Sequence, residues 1–109
     1  MFELLKNIFK KNYESLDGKT FQQKYKSIRN SVLIDVRTPS EFSSESIRGA
    51  RNINIMSPTF DSAIQNLDKE KTYFLYCRSG ARSGRACNKM SKLGFKVYNL
   101  EGGIFQWPN

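Results

Sequence analysis

Two short runs, Val32-Leu33-Ile34-Asp35-Val36 and Thr72-Tyr73-Phe74-Leu75-Tyr76, are dense in β-branched and aromatic residues, and helix signals fall between them. Such runs read as buried strands. Strands that alternate with helices imply a parallel sheet covered on both faces, because parallel neighbours need crossovers and bury both sides. Thr38-Pro39-Ser40-Glu41 is a capping box with proline at the first helical position, so a helix starts there. Arg51 to Ile55 reads as a further strand, and Ser57-Pro58 opens a helix that runs to about Asn66. Upstream, Asp17 and Gly18 precede a helical stretch to about Ile28. Downstream, a helix from about Arg82 to Lys92 is closed by Gly94, and Lys96 to Leu100 is a last strand. Glu101-Gly102-Gly103 then turns the chain into a short terminal segment. The fold class is α/β.

The 109 residues, 39% hydrophobic and 26% charged, suit one globular domain. Phe2, Leu5, Ile8 and Phe9 recur at helical spacing, with Lys6 and Lys10 on the other side. Residues 1–12 are therefore expected as an amphipathic helical extension, packed on the main domain of residues 13–109 or else on a partner or an anionic membrane surface. A net charge of +8 favours anionic ligands or partners. No apolar run approaches the ~18 residues that a membrane span needs, and the start lacks the features of a secretory leader. A cytoplasmic protein with reduced thiols is expected.

The chain has no histidine, which excludes a Ser-His-Asp triad, a Cys-His pair and a His-ligated metal. Its two cysteines, Cys77 and Cys87, supply neither a zinc site nor a disulfide framework. No metal and no cofactor are expected. In open α/β sheets ligands bind at the carboxyl ends of strands, and Cys77 stands at one, directly before a helix N-terminus. Arg78-Ser79-Gly80-Ala81-Arg82 folds naturally as a nest of backbone N–H groups aimed at one centre, helped by the helix dipole; Gly80 and Gly84 permit close approach. These donors, with two guanidinium groups, favour a Cys77 thiolate over a free thiol of pKa about 8.5. Cys77 is the expected nucleophile. Cys87, beside Ala86, Met90 and Leu93, is expected in the core with no assigned role. Asp35 and Arg37 read as a structural ion pair, not as a catalytic acid and electrophile.

The residues now resemble a known family. Tyr76-Cys77-Arg78-Ser79-Gly80-Ala81-Arg82-Ser83 is similar to the active loop of single-domain rhodaneses, the thiosulfate or persulfide sulfurtransferases. Leu33-Ile34-Asp35-Val36-Arg37 with Glu41-Phe42, Ile47-Arg48-Gly49-Ala50-Arg51-Asn52-Ile53, and Leu100-Glu101-Gly102-Gly103-Ile104 with Trp107 agree, in the family's order. The resemblance covers about Tyr13 to Trp107. It implies a rhodanese fold, a mostly parallel five-stranded sheet flanked by helices on both faces, with Cys77 carrying sulfane sulfur as a persulfide. It also implies a small anionic donor, thiosulfate or a persulfide, and a thiol or protein acceptor. Backbone amides from Arg78 through Ser79, Gly80, Ala81 and Arg82 to Ser83 would hold the terminal sulfur, with Arg82 aimed at loop or substrate charge and Arg78 meeting an anionic donor. The family commonly has histidine at the position of Ser46 and proline at that of Asn54, so altered loop packing is expected there.

Two alternatives use other chemistry. A cysteine-based phosphatase or arsenate reductase uses the same nest, but with one residue more than the four between Cys77 and Arg82, and no aspartate lies close in sequence as general acid. A non-catalytic docking or regulatory module would be expected to lose the cysteine, which this chain keeps. Arg85, Lys89, Lys92 and Lys96 read as a solvated helix face that also steers anions. Nucleic acid is not expected as a partner, since no exposed aromatics interleave with the charge.

Overall fold

A computed structural model describes residues 12–109 of the chain. The helical extension expected over residues 1–12 lies outside the described residues except for Asn12. Five strands, β1 (Glu14–Leu16), β2 (Ser31–Asp35), β3 (Arg51–Asn52), β4 (Thr72–Tyr76) and β5 (Lys96–Leu100), form one sheet. Their order is β1-β5-β4-β2-β3, and every ladder is parallel. Four helices connect them: α1 (Gly18–Ser27), α2 (Pro39–Ser44), α3 (Phe60–Gln65) and α4 (Ala81–Lys92). A 3-10 turn, Ile104–Gln106, follows β5.

Strand β4 shows why the sheet is covered on both sides. All five of its residues are buried, and the two-residue period of a strand separates them into two sets. Tyr73 and Leu75, with Cys77 beyond them, pack against Phe60 and Ile64 of α3 and Ala86, Cys87 and Met90 of α4. Phe74 and Tyr76 face the other way, toward Leu16, Phe21 of α1, Ile104 and Trp107. That second face is aromatic. Phe21 meets Phe74 edge-on at 5.3 Å between centroids, and Trp107 lies 6.2 Å from Phe21 and 6.0 Å from Tyr25. The terminal segment therefore closes the core on the α1 face.

The sequence reading is corrected at four places. Strand β1 was not expected from its residues: Glu14-Ser15-Leu16 carries no β-branched or aromatic side chain, and β5 alone organises it at the sheet edge. Strand β3 stops at Asn52 instead of reaching Ile55, because the Asn52 side chain donates to the carbonyls of Asp35 and Arg37 and bends the path; Ile53 and Ile55 then bond singly to the β2 end. Helix α3 starts at Phe60, not at Ser57-Pro58, since Ser57 Oγ accepts from the Thr59 amide in a turn of its own. Lys96 lies at the start of β5, so it does not continue the α4 basic face. The capping box, by contrast, is present as read: Thr38 Oγ1 accepts from the Glu41 amide and Glu41 Oε1 from the Thr38 amide.

No helix among the described residues is long and apolar enough to cross a membrane.

Candidate active site

Cys77 follows the last residue of β4, and its carbonyl accepts from the Ile104 amide at 2.9 Å. The chain next runs through Arg78 and Ser79 to Gly80, whose φ of 98° places it in the left-handed region as the cap before α4. A side chain there would be strained, and glycine removes the strain. The reversal turns the Gly80 amide inward, where it donates to Cys77 Sγ at 3.0 Å. One turn into α4, the fully buried Ser83 brings its hydroxyl to 3.3 Å from the same sulfur.

Cys77 is itself fully buried. Burial pushes its thiol up, but hydrogen bonding by the Ser83 hydroxyl and by the amides of Ser83, Gly80 and Ser79 outweighs that, and the net shift is downward. The thiolate is thus favoured chiefly by neutral hydrogen-bond donors, with the Arg82 charge coupled to Cys77 at longer range. Arg82 directs Nη1 and Nη2 at Glu41, at 2.7 and 2.9 Å. Arg78 is exposed, its guanidinium 5.8 Å from the Phe105 ring centroid. Ala81, also exposed, begins α4. Cys87 packs in the core as read, with burial holding its thiol far above the ordinary range.

Glu41 thus joins two elements. It caps α2 and grips the active loop through Arg82, and the Arg82 hydrogen bonds are the main reason its carboxyl falls from 4.5 to about 2. A depressed folded-state pKa means that the bridge stabilises fully above pH 4.5 and is lost as pH falls toward 2. Glutamine keeps the capping box but drops the charge. The Tm of Glu41→Gln is expected below that of the parent at neutral pH, by an amount equivalent to ~1 kcal/mol for a partly exposed pair. The gap should close as both are titrated from pH 4.5 toward 2.

Residues not singled out from the sequence also build the loop. Asn99 on β5 is buried; its Oδ1 accepts from Ser83 Oγ at 2.6 Å, and its Nδ2 donates to Ser15 Oγ and to the Gly80 carbonyl. The sequence signal was a lone polar side chain inside a buried strand. Gly103, read only as part of a turn, has φ 86° and lies flat on the Arg78–Ser79 peptide, where a Cβ would fall on the Arg78 carbonyl. Gly103→Ala is expected to destabilise by about 1–3 kcal/mol from the dihedral alone and to displace the loop. Thermal unfolding together with the alkylation rate of Cys77 checks both.

The family model described as Rhodanese-like domain matches residues 7–109. The chain belongs to the rhodanese-like family. It is 31% identical over 93 residues to a protein of Allochromatium vinosum named Sulfurtransferase, covering 84% of this chain and 85% of that protein. It is 40% identical over 80 residues to the uncharacterised Bacillus subtilis protein YqhL, covering 72% of this chain and 62% of the length of YqhL. Among solved structures, a rhodanese-related protein from Thermoplasma volcanium matches with a TM-score of 0.76 at 30% identity, covering 87% of this chain and 90% of that one. This rhodanese-like domain has Cys77 directly after β4, a short loop before α4, and the glycine pair Gly102-Gly103 after β5. At the two places where altered loop packing is expected, Ser46 is exposed, and Asn54 Oδ1 accepts from the Met56 amide in the turn before α3.

Proposed function

We propose that this rhodanese-like domain is a sulfurtransferase that carries sulfane sulfur as a persulfide on Cys77, taking it from thiosulfate or a persulfide and passing it to a thiol or other nucleophile. The carrying observation is the Cys77 sulfur itself, buried at a strand end yet held by the Gly80 amide and the Ser83 hydroxyl. In the first half-reaction the thiolate attacks the donor's outer sulfur. A new S–S bond forms to Cys77, the donor's S–S bond breaks, and sulfite or a thiolate leaves with the electron pair. In the second, the acceptor nucleophile attacks the outer sulfur and Cys77 leaves again as thiolate. No proton need be taken from Cys77 by a base, which suits a chain without histidine. The loop amides stabilise the negative sulfur, and exposed Arg78 is placed to meet an anionic donor.

Phosphoester or arsenate chemistry is disfavoured by a specific contact. It calls for a guanidinium over the bound oxyanion, and both terminal nitrogens of Arg82 are engaged by Glu41. With thiosulfate and no acceptor, the reduced protein is expected to release sulfite in a single burst equal to the protein present, and to leave a phosphoester untouched. Phosphoester turnover without sulfite release would overturn the reading. Silence in both assays, with thiosulfate and with a persulfide donor, would favour a docking module.

A further inference from the structure

The Ser83 hydroxyl has one hydrogen and two acceptors, Cys77 Sγ at 3.3 Å and Asn99 Oδ1 at 2.6 Å. The orientation of the Asn99 amide is fixed by its surroundings. Its nitrogen donates to the Gly80 carbonyl, which can only accept, and to Ser15 Oγ, so its oxygen must face Ser83. Asn99 and Ser83 are both buried, which leaves little water to supply a substitute acceptor or donor.

We infer that Asn99 is a positioning residue that sets the acidity of the nucleophile by competing with Cys77 for the Ser83 proton. While Cys77 is a thiol, its S–H donates to Ser83 Oγ and the Ser83 O–H donates to Asn99. When the thiol loses its proton to solvent, the Ser83 O–H turns to the sulfur and Asn99 Oδ1 gives up its donor. The Asn99 acceptor therefore stabilises the thiol state, and the strand β5 end restrains how far the loop lowers the thiol's pKa. The inference rests on Cys77 being the nucleophile proposed above, but its readout is thiol titration and needs no sulfur transfer.

Other charged and titratable groups surround the sulfur. Arg82 and Cys87 lie on α4, Glu41 on α2 is bridged to Arg82, and Asp35 and Arg37 at the end of β2 hold each other. Tyr13 is electrostatically coupled to Cys87. The bonds of the Asn99 side chain run to Ser83, Ser15 and Gly80, so substitution there leaves the Arg82–Glu41 and Arg37–Asp35 bonds in place.

The test is the pH dependence of Cys77 alkylation by iodoacetamide in Asn99→Leu, in Ser83→Ala and in the double variant, all in a Cys87→Ala background. Asn99→Leu is expected to lower the pH of half-maximal reactivity by roughly one unit, as the Ser83 hydroxyl becomes free for the thiolate. Ser83→Ala is expected to raise it. In the Ser83→Ala background Asn99→Leu should produce no downward shift, and any upward shift there reads the loss of the Gly80 tether. Asn99→Val, a better strand former, carries the same expectation if the leucine variant does not fold. No downward shift with Ser83 present, or an equal shift with and without it, would overturn the inference. A shift as expected in a protein that takes up no sulfur from thiosulfate or from a persulfide donor would support the inference and sink the sulfur-carrier reading instead.

Discussion

Cys77→Ser is expected to abolish sulfur loading, while Cys87→Ala loads normally. The serine hydroxyl occupies the same position under the loop, but its oxygen is not ionised near neutral pH and cannot form the S–S bond that defines the intermediate. The loop's donors hold the sulfur through the amide of Gly80 and the hydroxyl of Ser83 and do not create a nucleophile by themselves. Cys87 has no part in this scheme: it is fully buried in the core cluster with Ala86 and Met90, and burial holds its thiol protonated. Alanine is used there because a buried serine hydroxyl would bring a desolvation penalty unrelated to the chemistry. The check is a comparison of sulfite bursts from the two variants and the parent. Equal loss in both variants would contradict a single-cysteine mechanism.

Arg37→Ala is expected to reduce stability by about 3–5 kcal/mol, the largest effect anticipated away from the loop. Asp35 is fully buried and Arg37 is 3% exposed, with Nη2 reaching Asp35 Oδ2 at 2.8 Å and the Glu45 carbonyl at 2.6 Å. The Arg37 amide also donates to Asp35 Oδ1. Truncating the arginine leaves an unpaired buried carboxylate at the end of β2, beside the strand that delivers Cys77, and frees the Glu45 carbonyl at the end of α2. The double change Asp35→Asn with Arg37→Leu removes the charge pair together and should recover much of the loss. Chemical denaturation of the two variants measures the difference. An Arg37→Ala protein as stable as its parent would mean that water replaces the guanidinium. In that case the ion pair does not brace the strand end.

Much of this was legible in the sequence because local chemistry and tertiary structure agree there. Thr38, Pro39 and Glu41 encode the start of α2 without help from the rest of the fold. The all-buried β4 run and the Cys77 loop are likewise contiguous, so their placement follows from strand period and glycine position. The reading of Asp35 and Arg37 as an ion pair holds for the same reason, since only two positions separate them. What was not legible depends on residues far apart in the chain. Strand β1 has no strand-forming composition and exists through pairing with β5. Arg82 was expected to face the loop or substrate, but Glu41, 41 positions away, holds it. Asn99 meets Ser83 across 16 positions, and Gly103 is constrained by a peptide it touches only in the folded state. Of the two sources of thiolate stability read from the sequence, N–H donors and arginine charges, the hydrogen bonds carry the larger part, joined by the Ser83 hydroxyl.

The most direct test is peptide mapping of the protein after a stoichiometric thiosulfate or persulfide treatment, with alkylation to trap any persulfide before digestion. The account predicts one added sulfur on the peptide carrying Cys77, absent from the peptide carrying Cys87 and removed by a thiol acceptor. Sulfur found on Cys87, or acceptor turnover with no added sulfur on Cys77 at any time, would contradict it.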